Sequence, residues 1–249
     1  MADEIDPNFP YGLDRPRQVR GAAGFGMVLG IVTLIAAVAL GGLEGANGVI
    51  VLVLLLACVG GLVLSAGMFR TSRKTKVRAV DRMLDGLDLR GDEQALDLGC
   101  GSGLLCAGLS VRLPRGAVVG VDAWVESHLQ PTGKPLARKT LHAAGVKGVH
   151  LRTGSIRELP VEDASVDLAV SRDALALLPG AAARAEAVAE LRRVVRPGGR
   201  VALLEPFVTR DLASRLAAAG FVDVRRSGRW WSVIPAHRLL TARRPAAGE

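Results

Sequence analysis

Polar and apolar positions divide this chain into stretches with different periods. Residues 1–20 are polar and carry Pro7, Pro10 and Pro16, which disfavour regular structure. Residues 21–43 hold no charge, and after the polar turn Glu44-Gly45-Ala46-Asn47-Gly48 the run 49–69 is again uncharged. As a helix, the first run would be about 34 Å long against a hydrocarbon core of about 30 Å, and the second is of similar length. The pattern predicts a transmembrane helical hairpin over 21–69. A basic linker and amphipathic helix would fill 70–90, and a separate domain 91–249.

Within 76–89, Val77, Val80, Met83, Leu84 and Leu87 recur at helical spacing, which predicts a connecting helix packed on the domain. Beyond it, apolar runs of strand length alternate with helical patterns. Strands are expected at 95–98, 117–121, 149–152, 166–171 and 199–205, and helices at 104–112, 134–144, 181–195 and 210–219. Gly220 is the stop signal of the last helix. Two final strands, 221–226 and 236–243, have no helical pattern between them. The alternation predicts a doubly wound α/β sheet, mostly parallel and closed by an antiparallel pair.

Charge orients the hairpin. Arg15, Arg17 and Arg20 precede the first run, and Arg70, Arg73, Lys74, Lys76 and Arg78 follow the second, while the turn carries only Glu44. Both flanks are therefore expected in the cytoplasm, giving a multi-pass cell-membrane protein with cytoplasmic termini and domain. A cleaved signal peptide is the alternative for the first run. Asp3, Glu4 and Asp6, the length of the run and the second run behind it all oppose that alternative. Gly26 and Gly30, with Gly60 and Gly61, would permit close helix contact, although small residues are common in any membrane helix. The cluster at 70–78 can rest on anionic headgroups, worth about 1 kcal/mol per residue near the surface.

Composition adds less. The 249 residues carry a net charge of +8, with a pI of 10.2 and a mean hydropathy of +0.30. Such a balance suits an anionic partner, and the apolar runs favour lipid over nucleic acid. At 4% aromatic residues there is no stacking platform for single-stranded nucleic acid. Cys58, Cys100 and Cys106 show no metal-ligand spacing and no disulfide framework, as suits a reducing cytosol.

The richest run is Ala95-Leu96-Asp97-Leu98-Gly99-Cys100-Gly101-Ser102-Gly103, followed by Gly120-Val121-Asp122. A strand leads into a turn of alternating glycines and then a helix, so backbone passes close under a ligand at a helix N-terminus. A nicotinamide-binding loop would place glycine three residues after Gly101, where this chain has Leu104. Asp122, 19 residues after Gly103 at the end of the next strand, can accept both hydroxyls of a ribose. Together these predict an adenosyl cofactor.

With Arg157-Glu158-Leu159-Pro160, Asp163-Ala164-Ser165-Val166-Asp167-Leu168 and Leu191-Arg192-Arg193-Val194-Val195-Arg196-Pro197-Gly198-Gly199-Arg200 added in order, residues 76–245 resemble the class I S-adenosylmethionine-dependent methyltransferases. The resemblance implies a seven-stranded sheet with its last strand antiparallel. It also implies S-adenosylmethionine as cofactor. Asp97, Gly99, Cys100, Gly101 and Gly103 would lie near the methionine end, and Asp122 would hold the ribose. Ala123 and Trp124 would lie near the adenosyl group, Ser155 and Ile156 would border the adenine, and Ser171 would close the pocket. A bacterial subgroup with a two-span anchor is similar in a further signature, here Tyr11-Gly12-Leu13-Asp14-Arg15-Pro16, and in a Trp two residues after the ribose acid.

Departures from the family pattern fall mostly on the acceptor side. Ser155 stands where an Asp is usual at the adenine amino group, and lacks its charge assistance. His128, Gln130, Pro131 and Thr132 replace an acid, serine, glycine and asparagine, and Ala176-Leu177 replaces a His-Asn pair. Several positions keep two readings. Cys100 is either packed or, at a helix N-terminus, a thiolate; His128 is a loop histidine or a base. Asp173 orients an acceptor or caps a helix. Arg192, Arg193, Arg196 and Arg200 form a solvated face or a lipid patch. Trp230-Trp231 pack in the closing strand pair or lie at a membrane surface. Glu162 and Asp163 only solvate a turn.

Two function classes follow. The first is a membrane-anchored methyltransferase acting on a small-molecule or lipid acceptor, with Asp173 or His128 aiding deprotonation and the catalytic residues otherwise unassigned. The second is a cofactor-binding regulatory or scaffold module with little or no turnover, motivated by Ser155 and by Ala176-Leu177. A nicotinamide oxidoreductase is opposed by Leu104 and by the lack of a separate substrate domain. No metal site and no nucleic-acid partner are expected.

Overall fold

The two apolar runs form helices α1 (Pro16–Ala39) and α2 (Gly45–Arg70). They belong to a computed structural model that describes residues 16–39, 45–70, 75–124, 133–233 and 235–249. The helices pack antiparallel: a Cβ on Gly26 would sit 3.2 Å from Leu62, and one on Gly30 would sit 3.2 Å from the Cys58 sulfur. Gly60 of α2, by contrast, faces open space. Among the described residues one stretch, Gly48–Gly67, is long and apolar enough to cross a membrane, while α1 offers the shorter apolar stretch Ala23–Val38. The expected pair of equal spans is thus met in full only by the second; residues 40–43 of the first lie outside the described residues.

Helix α3 (Lys76–Asp85) is shorter than its apolar pattern, since Gly86 ends it. Leu87 still reaches the core through a turn in which its N–H donates to the Leu84 carbonyl. The inward face, Val77, Val80, Met83 and Leu84, is buried against the domain. Arg112 clamps the helix through Asp81 at 3.0 Å and Asp85 at 2.6 Å. Arg82 lies 4.6 Å above the ring of Trp230.

The domain then alternates as its pattern predicts: β1 (Gln94–Leu98), α4 (Leu104–Arg112), β2 (Ala117–Asp122), α5 (Lys134–Ala143), β3 (Val149–Thr153), β4 (Val166–Arg172), α6 (Gly180–Val194), β5 (Val195–Glu205), α7 (Thr209–Ala218), β6 (Val222–Arg226) and β7 (Arg238–Arg243). The seven strands form one sheet in the order β3-β2-β1-β4-β5-β7-β6. All pairings are parallel except those of β7, which runs antiparallel to both β5 and β6. Strand β5 starts earlier than expected, at Val195, because a register shift between Val166 and Leu168 absorbs Pro197 and the glycines after it.

Side chains alternate across the sheet. Leu168, Val170, Ala202 and Leu204 face α3 and α4, whereas Leu96, Leu98, Ala169 and Leu203 face α6 and α7. The arginines in the last turn of α6 and in β5 are partly exposed, but each has a partner within the domain. Arg193 bonds Glu190, Asp163 and the Leu159 and Val161 carbonyls. Arg192 bonds the Ala219 carbonyl, Arg196 pairs with Asp167, and Arg200 pairs with Glu93. Asp163 is therefore a partner in an ion pair rather than only a solvating group.

This topology sets the place of any site. The chain leaves β1 outward to β2 and β3, then returns to β4 on the other side of β1. Crevices open at such a reversal, outside the carboxyl ends of the strands. The carboxyl ends of β1, β2, β4 and β5 and the start of β7 share that edge.

Candidate cofactor and acceptor site

The turn after β1 is tied to its neighbour, with the N–H groups of Gly99 and Cys100 donating to the Val121 carbonyl at 2.8 and 3.1 Å. Gly99 (φ +71°) is fixed by close approach, because a Cβ there would lie 2.3 Å from that of Ala174 in the segment after β4. Gly101 (φ +50°) is different: a Cβ there would meet nothing nearer than 4.0 Å, so the turn leaves open room over it. Helix α4 begins just beyond, at Leu104.

Asp97 ends up at the crevice through strand alternation. Its side chain is buried on the α4 face, where Oδ2 accepts the Cys106 thiol at 3.2 Å. Oδ1 has no hydrogen-bond partner among the described residues. Burial, with a smaller push from Asp122, raises this carboxyl to about 7. Cys100 and Cys106 are both buried beside it. Their mutual contact lowers the Cys100 thiol, but burial and the Asp97 and Asp122 charges outweigh it and the net shift is upward. Cys100 is buried, at 6% exposure, which agrees with its packed reading.

Asp122 turns both oxygens onto backbone donors. Oδ2 accepts the Gly101 N–H at 2.9 Å and Oδ1 accepts the Trp124 N–H at 2.7 Å, which locks the end of β2 to the glycine turn. Each oxygen keeps a further lone pair for a ligand. Trp124 adopts a left-handed conformation (φ +41°), and its indole N–H donates to the Gly101 carbonyl at 3.2 Å. Ala123, between them, is exposed at the edge. Ser155 and Ile156 come to the same edge because the Gly154 N–H donates to the Asp122 carbonyl. The Ser155 hydroxyl accepts the Arg157 N–H at 3.1 Å, and Ile156 is buried.

Ser171 lies apart from this group. It is fully buried on the α6–α7 face, and its hydroxyl donates to Glu205 at 3.4 Å. Glu205 ends β5 and also accepts the Leu175 and Ala176 N–H groups at 3.2 and 3.0 Å, so it holds the segment that touches Gly99. Burial and the nearby Asp173 charge push this carboxyl up to about 8. Asp173 (φ +68°) follows β4, pairs with Arg172 at 3.1 Å and meets His237 Nε2 at 2.7 Å. His237, buried at the start of β7, has its Nδ1 2.7 Å from the Pro235 carbonyl.

Sequence reading weighed Asp173 and missed Glu205 and His237. A charge ending the apolar run Val201–Leu204 was a signal for Glu205; nothing local pointed to His237. The expected polar loop residues His128, Gln130, Pro131 and Thr132 lie outside the described residues. The tryptophan pair splits: Trp230 packs under Arg82, whereas Trp231 is exposed.

Residues 96–203 match a family described as a methyltransferase domain. A protein carried by a Streptomyces fradiae transposon is 41% identical over 125 residues, covering 50% of this chain and 33% of that protein. A demethylmenaquinone methyltransferase of Staphylococcus aureus is 34% identical over 125 residues, covering 50% of this chain and 47% of that enzyme. The chain spans between a third and a half of the length of these curated relatives. Among solved structures, the [4+2]-cyclase SpnF has a TM-score of 0.57 at 20% identity, covering 70% of this chain and 83% of that one. At that identity the likeness is one of fold.

Proposed function

We propose that this chain, whose residues 96–203 belong to a methyltransferase domain, moves a methyl group from S-adenosylmethionine to a lipophilic acceptor at a membrane to which its N-terminal helices anchor it. The observation that carries the cofactor reading is the buried, unpartnered Oδ1 of Asp97 beside the open room over Gly101. A buried carboxylate oxygen without a donor is costly, and a ligand with a cationic amino-acid end relieves that cost. Asp97 and the glycine turn would take the methionine end of the cofactor, Asp122 its ribose hydroxyls, and Ser155 and Ile156 the adenine. The cofactor supplies, when bound, a methyl activated by its sulfonium. The chain's own part is positioning: two backbone N–H groups preset the Asp122 carboxylate, and Trp124 braces the turn that carries the ligand.

Three observations support the membrane half of the reading. Phe25, Ile31, Leu34 and Val38 on α1, and Val49, Leu56 and Val63 on α2, face outward uncovered, an apolar area beyond what a soluble surface carries. Basic residues flank both apolar helices, a pattern that supports a cytoplasmic domain and cytoplasmic termini. At the carboxyl edge of the sheet Leu177, Phe207 and Trp231 are also exposed, a rim suited to an apolar acceptor. The relative named for demethylmenaquinone has an acceptor of that kind.

The test is the full chain in lipid nanodiscs with tritiated S-adenosylmethionine and membranes from cells lacking the chain. Label is expected in the solvent-extractable lipid. Label in protein alone would replace the lipid acceptor, and no label from protein that binds S-adenosylhomocysteine would favour the second reading. That reading, a cofactor-binding module without turnover, draws on the Ser155 hydroxyl already engaged by Arg157 and on the apolar Ala176-Leu177.

A further inference from the structure

The acceptor side is apolar where sequence reading looked for polar groups, at Ala176-Leu177, yet the sheet brings polar groups there from elsewhere. Asp173 follows β4, Glu205 ends β5 and His237 precedes β7, so three segments far apart in the chain meet at one edge. Ala174, the next residue, touches the glycine turn at Gly99, which sets Asp173 beside the end of the crevice where Asp97 lies.

We propose that Asp173, positioned from behind by His237, receives the proton of the methyl acceptor, and that the acceptor is methylated at an O–H or N–H group. The inference rests on the methyl-transfer reading above. Asp173 is the part of the cluster that reaches the surface, with its side chain 28% exposed, whereas the His237 side chain is only 2% exposed. Its backbone is held left-handed, a conformation rare for a residue with a side chain, and its N–H donates to the Leu204 carbonyl at 3.1 Å. Such conformations persist where surroundings enforce them, and they gather at functional sites.

His237 serves this carboxylate. Both ring nitrogens face oxygen at 2.7 Å, the Pro235 carbonyl on one side and Asp173 Oδ1 on the other. The tautomer with its hydrogen on Nε2 donates to Asp173 Oδ1 and so fixes the direction of that carboxylate. Arg172 holds the other oxygen, Oδ2. Glu205, a further charged group facing the cluster, is buried and shifted toward its neutral form chiefly by that burial and partly by Asp173. Asp173 acts on Glu205 there as a neighbouring negative charge.

The step balances simply. A lone pair on the acceptor oxygen or nitrogen forms the bond to the methyl carbon. The carbon–sulfur bond breaks with its pair left on sulfur, as a neutral thioether. The acceptor's proton passes to the Asp173 carboxylate and from there to water.

The experiment uses the full chain in nanodiscs, tritiated S-adenosylmethionine, extracted lipid of cells lacking the chain as acceptor pool, and calorimetry with S-adenosylhomocysteine. Asp173→Asn should lower kcat by about 100-fold or more while S-adenosylhomocysteine affinity stays within about twofold. His237→Leu should lower kcat about tenfold and move the rising limb of the pH–rate profile upward. His237→Gln, which keeps a donor toward Asp173, should restore most of both. The labelled product should carry its methyl on a heteroatom. Full activity in Asp173→Asn, or a methyl found on carbon, overturns this inference and leaves the methyl-transfer reading standing. Parallel loss of turnover and ligand affinity in both substitutions overturns it in favour of a merely structural pair. Absence of transfer by the unmodified chain overturns both readings.

Discussion

The glycine turn and the Asp173–His237–Glu205 cluster lie side by side on one edge of the sheet and are built in opposite ways. The turn is local. Residues 97–103 present mostly backbone: N–H groups on the Val121 carbonyl and on the Asp122 carboxylate fix the turn's shape, every partner coming from the end of the adjacent strand β2 or the two residues after it. The cluster is made of side chains from β4, β5 and the approach to β7, and exists only once the sheet order has placed those ends together. A site built from backbone must keep its spacing. A site built from side chains is free to draw its groups from anywhere that reaches the edge.

The sharpest way to break that contrast is inside the turn itself. Gly99→Ala drives a Cβ to 2.3 Å from that of Ala174 at a positive φ, so it strains the turn and pushes on the acceptor-side segment. It should cost about 2–4 kcal/mol of stability in urea unfolding. Gly101→Ala meets open space and should cost only about 1–2 kcal/mol, mostly backbone strain. Its effect should appear instead in S-adenosylhomocysteine affinity, as a loss of about tenfold or more, since the added methyl occupies the ligand's room. Equal destabilisation by both would mean that the room over Gly101 is not what its geometry suggests.

The same contrast explains what the sequence revealed. The α/β alternation, the antiparallel closing pair and the glycine turn with its acid are written in short-range spacing, and the strands and helices fall within a few residues of their patterns. The misjudged features depend on partners. Arg193, Arg196 and Arg200 look like parts of a solvated face until Asp163, Asp167, Glu93 and Glu190 come into reach. Ser171 looks like a pocket residue until alternation turns it toward Glu205. His237 has no neighbour in sequence that hints at Asp173, 64 residues away. Long-range pairings of this kind carry no local period, so the reading missed them on the acceptor side and caught the cofactor side.

Titration separates the two regions next. Asp97 is raised from 3.8 to about 7 and Glu205 from 4.5 to about 8, both chiefly by burial. In each case the folded state holds the proton more tightly than the unfolded one. The stabilisation is therefore full below the unfolded value and is lost as pH rises through the folded value. Between roughly pH 4 and 7 both groups should lower stability with rising pH, each by up to about 1.4 kcal/mol per unit. Above 7 only Glu205 continues. Glu205→Gln should remove the fall between pH 7 and 8 and roughly halve it below 7, whereas Asp97→Asn should halve the lower part and leave the fall between 7 and 8. Urea unfolding across that range reads the difference directly, and an unchanged slope in Glu205→Gln would remove the carboxyl from the acceptor-side account.

Asp122→Asn probes how far the cofactor side depends on charge. The carboxylate accepts two backbone N–H bonds, at 2.9 and 2.7 Å. Asparagine can keep one of them, with its amide nitrogen forced against the other donor. Hydrogen bonds to charged groups are worth about 1.5–3 kcal/mol, so S-adenosylhomocysteine affinity should fall by about 10–100-fold. Turnover at saturating cofactor should change far less than in Asp173→Asn. Comparable losses of kcat in the two substitutions would erase the division of labour between the halves of the edge.

The smallest expected effect is a gain. Ser155 stands where the family resemblance calls for an acid at the adenine amino group, and its hydroxyl already accepts the Arg157 N–H at 3.1 Å. One hydroxyl oxygen serving two donors leaves the second bond weak. Ser155→Asp adds a second oxygen and a charge, so one oxygen can keep the turn while the other meets the ligand. Charge-assisted bonds are roughly twice as strong as neutral ones. At a half-buried and partly solvated position, the net improvement in S-adenosylhomocysteine affinity should be about three- to tenfold, from about 1 kcal/mol. Calorimetry on the substituted chain decides it. A gain assigns position 155 to the adenine and makes the serine a weakened contact of a working site. A loss would mean that the turn held by Ser155, and not the adenine, is what this position serves.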